Sequence, residues 1–198
     1  PSTQDGYATV RADYTQRSYR SGFNASLDWK TGWNDFVFGY WYDYVDDTEK
    51  QPFTAVSESG YAANIWGARD SSLIHLSNGN ALLGGSNHTI AQTNALYIGD
   101  HISLLHDRLL IDAGFKEVMF TRNGTNNMPG PQYRANTNSA EPLPRLGVRY
   151  RIDQNHQIFF NATTNFRAPD ETALYDVYDP STGEVSTNAN TKVKNEYS

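Results

Sequence analysis

The chain has 198 residues, a formal charge of −6, 38% apolar and 19% charged residues, and no cysteine. The missing cysteines exclude a disulfide scaffold and a thiolate metal site, and the acidic balance argues against a general nucleic-acid-binding surface. The charged share lies below the roughly 25% of soluble domains, while 13 Tyr, 9 Phe and 4 Trp suit either a wall between lipid and water or an aromatic-rich extracellular β-domain.

Residues 7–16 alternate weakly, with Ala8, Val10, Ala12 and Tyr14 on one face, and Arg17-Ser18 reads as a short turn. Residues 19–30 alternate clearly: Phe23, Ala25, Leu27 and Trp29 point one way, Asn24, Ser26 and Asp28 the other. A period of two marks a half-buried strand. After the tight turn Thr31-Gly32, residues 33–45 place Phe36, Phe38, Tyr40, Tyr42 and Tyr44 against Asp35, Val37, Gly39, Trp41 and Asp43. Trp29 and Trp33 flank that turn, as in an aromatic girdle at a membrane interface or in ordinary hairpin packing. Alternation fails over residues 46–92, which read as a long loop. It returns with Leu96, Ile98, Ile102 and Leu104, turns at His106-Asp107, and continues through Leu109, Ile111, Ala113 and Phe115. Residues 122–143, rich in Asn, Gly and Pro, read as a second irregular segment.

The clearest hairpin spans residues 144–167. Leu146, Val148, Tyr150 and Ile152 alternate with Gly147, Arg149 and Arg151; the turn is Asp153-Gln154-Asn155; Ile158, Phe160, Ala162, Thr164 and Phe166 return. Each arm is about nine to eleven residues, roughly what a tilted strand needs to cross a bilayer. No apolar run reaches the ~18 residues of a transmembrane helix, which says nothing against membrane strands. The start, Pro1-Ser2-Thr3-Gln4, shows no signal peptide, as in a mature protein or an excised fragment.

The connections sort by length. Turns at 31–32, 106–107 and 153–155 are very short; segments 46–92, 122–143 and 167–195 are long. In an antiparallel sheet the short ones all fall at one end, and only Arg17-Ser18 departs. Short periplasmic turns and long extracellular loops are the asymmetry of outer-membrane barrels. The pattern therefore reads as all-β, with antiparallel transmembrane β-barrel strands. About seven strands, and the start of an eighth near Lys192, make either a small barrel with hidden strands or a slice of a larger one. The alternatives are a soluble or surface-exposed antiparallel β-sheet binding or adhesion module, and a passive porin. The Phe36–Tyr44 face separates barrel wall from soluble module: in a wall it meets lipid, in a soluble domain a second sheet must cover it.

Three stretches resemble the β-barrel of TonB-dependent outer-membrane receptors. The first runs from Ala95-Leu96-Tyr97-Ile98-Gly99-Asp100 to Leu109-Leu110-Ile111-Asp112-Ala113-Gly114-Phe115, where Asp107-Arg108-Leu109 and Gly114 fit the family's D-R-L-x-L-x-x-G pattern. The second, Pro144-Arg145-Leu146-Gly147, is similar to its P-R-L/F-G strand start. The third, Asn165-Phe166-Arg167-Ala168-Pro169 with Glu171, Leu174 and Tyr175, looks like G-F-R-A-P-x-x-x-E-L-Y, with Asn165 in place of glycine. Residues 192–196 fit the family's L-K-P-E poorly. The resemblance implies that residues 1–198 are a partial barrel domain, a middle portion of a 22-stranded barrel, lacking the N-terminal plug. It implies a place in the bacterial outer membrane, energy drawn from TonB, and a small-molecule metal chelate as cargo, such as a ferric siderophore. It implies no enzyme activity, no cofactor and no nucleic-acid partner.

Residue chemistry adds little. No H-E-x-x-H, G-x-S-x-G or phosphate-binding glycine loop is present. His101, His106, Asp100 and Asp107 cluster around a turn but differ in parity, so solvated turn and lumen residues are expected rather than a metal site. Asp43, Asp46, Asp47 and Glu49 read as a loop rim, with cation binding as the alternative. Arg145, Arg149, Arg151 and Arg167 belong to a polar, lumen-facing side, where they pair with carboxylates or attract an anion. The family holds its ligand with aromatic and Arg residues of loops and upper wall; Trp66, Arg69, His88, Tyr133, Arg134 and Arg167 are the corresponding ligand-binding candidates here. The N-x-S/T triplets at Asn24, Asn87, Asn123 and Asn161 are chance products of an Asn-, Ser- and Thr-rich chain.

Overall fold

The computed structural model describes residues 3–4, 7–8, 10–62, 72–128, 134–169, 171–179, 184–190 and 194–198. Its strands are β1 (Thr3–Gln4), β2 (Tyr7–Ala8), β3 (Val10–Ala12), β4 (Thr15–Thr31), β5 (Asn34–Ala55), β6 (Leu83–Leu104), β7 (Leu109–Asn126), β8 (Arg134–Arg151), β9 (Gln157–Thr163), β10 (Phe166–Arg167), β11 (Val177–Tyr178), β12 (Val185–Thr187) and β13 (Glu196–Tyr197). One curled antiparallel sheet dominates, with β5, β6, β7, β8 and β9 in sequence order and both β3 and β4 on the free side of β5. In such a meander every connection from β4 to β9, short or long, joins strands that are neighbours in the sheet. No second sheet lies over it among the described residues.

Several expected boundaries are wrong, in one direction. Arg17 and Ser18 are not a turn; they pair with Thr48 and Asp47 inside β4. The chain breaks instead at Asp13-Tyr14, between β3 and β4, which both follow β5. With that turn removed, the sorting of short and long connections has no exception. Residues 46–92 are not a loop throughout: β5 runs to Ala55 and β6 begins at Leu83. Residues 122–143 shrink to a connection between Asn126 and Arg134. The acidic run is therefore strand, and alternation splits it. Asp43, Asp47 and Glu49 share one face and take hydrogen bonds from Arg20, Gln16 and Tyr14, whereas Asp46 faces the other way beside His88. Only the second arm of the last hairpin is shorter than expected, since β9 stops at Thr163.

Directly opposed residues share a face, so register assigns the two sides. One carries Phe23, Leu27 and Trp29 of β4, Phe36 to Tyr44 of β5, Leu96 and Ile98, Phe115, Leu146, and Ile158 and Phe160. Phe38 is 37% exposed and Leu27 66%, the residues named on the other strands fall between, and Phe36, Tyr40, Tyr42 and Tyr44 are half-buried. The other side carries Asn24, Asp43, Thr93, Lys116, Arg145 and Asn161, and is the side covered by the chain after residue 163. Phe166 packs there on Ala95, Val118 and Leu143, and Tyr175 bonds Thr89.

The bare face has a height. From Asn34 to Tyr44 is ten steps, about 33 Å along the strand and about 25 Å after a ~40° tilt, the height of the apolar band of a membrane barrel. The rings of Trp29 and Phe36 meet at a tilt (5.7 Å between centroids) at the lower edge, and those of Phe23 and Tyr42 (5.9 Å) nearer the upper. Two carboxylates interrupt the face: Asp100, bonded by Asn34 near the lower edge, and Glu117, level with Tyr40. Carboxylates cost less than Arg or Lys on a lipid face. Above Tyr44 the same face turns polar, with Thr48 and Lys50 on β5, His88 on β6, Thr125 on β7 and Asn136 on β8.

The lower turns are tight. Gly32 (φ 59°) takes the first central position of a two-residue hairpin loop, where the right-handed twist of the strands calls for a left-handed residue. Asp153 closes the last turn by accepting from the amides of Asn155 and His156, both at 2.8 Å. Between them, Arg108 of the D-R-L motif donates to the carbonyls of Arg151 and Ile152 and so ties two neighbouring hairpins together.

Candidate functional site

The concave face is built on glycines. A strand glycine leaves room for a neighbouring side chain to lie flat on the sheet. Tyr97 lies over Gly39 and reaches across β5, where its hydroxyl donates to Asn24 Oδ1 at 3.0 Å. Arg145, opposite Gly114, runs over that residue toward Gly99, the register partner of Gly114. A methyl group at Gly114 would stand 2.5 Å from Arg145 Nε, and one at Gly99 3.2 Å from Nη2. Tyr175 fills the space over Gly124, with its hydroxyl 2.6 Å from Thr89 Oγ1.

These flattened side chains frame a cavity of about 560 Å³, lined by Asn24, Trp41, Tyr97, Lys116 and Arg145 and closed by Thr163, Thr164 and Asn165. Its walls are aromatic and amide, its charges two cations. Higher up, the segment after Pro169 is seated on the same face. Leu174 and Tyr175 pack with Ala135, and Arg122 donates to the Pro169 carbonyl at 2.6 Å. Leu174 and Tyr175 of the third resembling stretch are thus anchors that hold the segment against the wall.

The ligand-binding candidates do not come together. Trp66, Arg69 and Tyr133 lie outside the described residues. His88 and Arg134 sit on the outer face above the apolar band: His88 opposes Thr48 and bonds Asp46 at 2.9 Å, and Arg134 opposes Thr125. Arg167 is in β10, paired with Glu196 of β13. Arg149 faces the concave side, opposite Phe159, without an ion pair among the described residues. His101 bonds Asp112 across the strand pair at 2.6 Å, away from His106 in the turn. Trp41, Tyr97 and Lys116 belong to no motif, and the sequence signal that locates them is the lumen-facing parity of Gly39, Gly99 and Gly114.

Over residues 1–198 the chain matches the family model described as TonB dependent receptor-like, beta-barrel. The chain belongs to the TonB-dependent receptor family. Members of this family are outer-membrane proteins of Gram-negative bacteria. Among solved structures it is similar to the unliganded ferric citrate transporter FecA, with a TM-score of 0.50 at 16% identity, over 79% of this chain and 21% of that one. That likeness is one of fold. The chain thus spans about a fifth of the solved receptor's length. No curated protein matches. The aromatic face, over which no second sheet lies among the described residues, agrees with this family.

Proposed function

We propose that this chain is part of the wall of an outer-membrane receptor that takes up a small ligand actively, with energy delivered through TonB and passage controlled by a plug domain. The observation that carries the reading is the two-sided sheet: an apolar, aromatic band about 25 Å high on one face and an amide-, hydroxyl- and cation-bearing wall on the other. Such a wall separates lipid from a polar lumen and changes no covalent bond in its cargo.

Within that class we assign a ferric siderophore or similar iron chelate as the cargo. The fold likeness to a ferric citrate transporter supports this choice over haem, vitamin or glycan. Trp66, Arg69, Tyr133 and Arg167 remain the loop and upper-wall residues proposed to meet it, whereas His88 and Arg134 stand on the outer face and turn away from the lumen. The test is uptake of radiolabelled ferric chelates by iron-starved cells with and without this receptor, and by cells lacking TonB. Uptake of one chelate should fall to background in both deletions. Equal uptake of a full chelate panel by all three strains would refute the iron assignment. Uptake that needs the receptor but not TonB would leave a passive pore.

A further inference from the structure

We propose that the cavity between Lys116 and Arg145 is a carboxylate-binding site part-way down the inner wall. It rests on the reading of this face as a channel lumen. It concerns a level well below the loops, between the register pairs Val37–Gly99 and Trp41–Ala95.

The argument starts from charge. Lys116 opposes Tyr97 on one side and Leu143 on the other; Arg145 opposes Gly114, one inward-facing position lower. The two cations are therefore diagonal neighbours on one face, where like charges repel. Neither makes an ion pair or hydrogen bond among the described residues. The nearest inward-facing acids are already engaged. Asp112, one inward position below Gly114, is bonded to His101 at 2.6 Å. Glu141, one inward position above Leu143, accepts from Asn195 and Tyr197. Among the described residues no carboxylate lines the cavity.

Shape makes the arrangement a site rather than two loose cations. Arg145 is laid along the wall, with its stem over Gly114 and its Nη2 reaching Gly99. Tyr97 lies in the same way over Gly39 and is tied to Asn24. A planar guanidinium so placed, with an ammonium beside it, matches the two oxygens of a carboxylate. The walls of Trp41 and Tyr97 accept the body that carries it. At about 560 Å³ the space lies within the range of small-ligand sites, roughly 300–1,000 Å³.

The carboxylate comes either from a free polycarboxylate in the lumen or from an acidic side chain of the domain that fills it. Two readouts on the full-length receptor separate these sources. One is calorimetric titration with citrate at low ionic strength. The other is the urea concentration at which the receptor, reconstituted in a planar bilayer, begins to conduct ions. Each compares wild type with the Lys116→Gln/Arg145→Gln double variant. A free ligand predicts saturable citrate binding that weakens at least tenfold in the variant. A side-chain partner predicts no citrate binding to wild type and conduction at lower urea in the variant. Identical titrations and identical urea thresholds in the two proteins overturn the proposal. An equal loss in Arg149→Gln also overturns it, because that cation lies outside the cavity. Heat-modifiable gel migration checks that each barrel is folded. If the double variant is not, Arg145→Lys against Arg145→Gln gives the same contrast, with the lysine restoring charge. None of these readouts depends on uptake, so a failed transport assay and a failed site are separate results.

Discussion

Placing arginine at position 38 tests the lipid reading of the bare face near the middle of its height. Phe38 lies between Leu27 and Ile98 in register, stacks on Phe36 at 6.1 Å, and sits near the middle of the apolar band. An arginine on the lipid face at mid-depth costs about 2–4 kcal/mol, falling to about 0–1 near the interfaces. Thr48 is ten residues further along the same strand and on the same face. Ten residues are about 33 Å of strand, or about 25 Å of height, which takes Thr48 clear of the band. Phe38→Arg should therefore destabilise the full-length protein in phospholipid vesicles by at least about 1 kcal/mol more than Thr48→Arg. Reversible guanidinium unfolding followed by tryptophan fluorescence measures the difference. Equal costs at the two positions would refute the reasoning, since a face covered by protein along its length has no depth gradient. A Phe38→Arg cost below about 0.5 kcal/mol, the usual effect of a neutral surface change, would refute it as well.

Three further outcomes follow from the turns and the wall. Leu105, His106 and Asp107 all have φ between 55° and 64°; a non-glycine left-handed residue costs about 1–2 kcal/mol, so Leu105→Gly should stabilise the hairpin by about 1 kcal/mol, read as a raised guanidinium midpoint. Gly39→Ala should cost about 1–3 kcal/mol by overpacking against Tyr97, and adding Tyr97→Ala should recover part of that loss; strict additivity in the double-mutant cycle would mean the ring does not depend on the glycine. The Asp153 carboxyl is held below its ordinary value of 3.8, first by the Asn155 amide and then by His156. A depressed folded-state pKa contributes stability that is present above 3.8 and disappears as pH falls through the lower folded value, so Asp153→Asn should flatten the acid limb of the stability curve, and an unchanged limb would show that the turn does not contribute.

Strands here outlast their hydropathy alternation for a reason that belongs to membranes. Alternation stopped at Val45, yet β5 continues to Ala55 with an unbroken ladder to β4 up to Lys50. Above Tyr44 the outer face reads Asp46, Thr48 and Lys50, and the inner face Asp47 and Glu49. Both faces are wet there, so hydropathy has nothing to alternate between while the hydrogen bonds carry on. The same exit from lipid ends the visible pattern on β7, where Thr121, Asn123 and Thr125 follow Met119 on the outer face, and on β8, where Asn136 and Asn138 precede Ala140. Period-two alternation in this chain reports contact with lipid and not membership of a strand. The turns were legible because they carry their own chemistry: glycine at position 32 and aspartate at 153 do the same work in any surroundings.

The inner wall was legible in principle, through its glycines. Gly39, Gly99, Gly114 and Gly124 all fall on the lumen parity of their strands, where a missing side chain is a vacancy that a neighbour can use. Each vacancy is filled from the side: Tyr97 over Gly39, Arg145 over Gly114 and toward Gly99, and Tyr175 over Gly124. For the first three glycines the donor is the nearest long inward side chain on the same strand pair or the next strand over, a relation fixed once register is known. Tyr175 is different, because it arrives from a segment beyond the sheet and no register predicts it. Wall residues held by ladder geometry can thus be read from a sequence with its parity assigned, whereas those supplied by a folded-back segment need the structure.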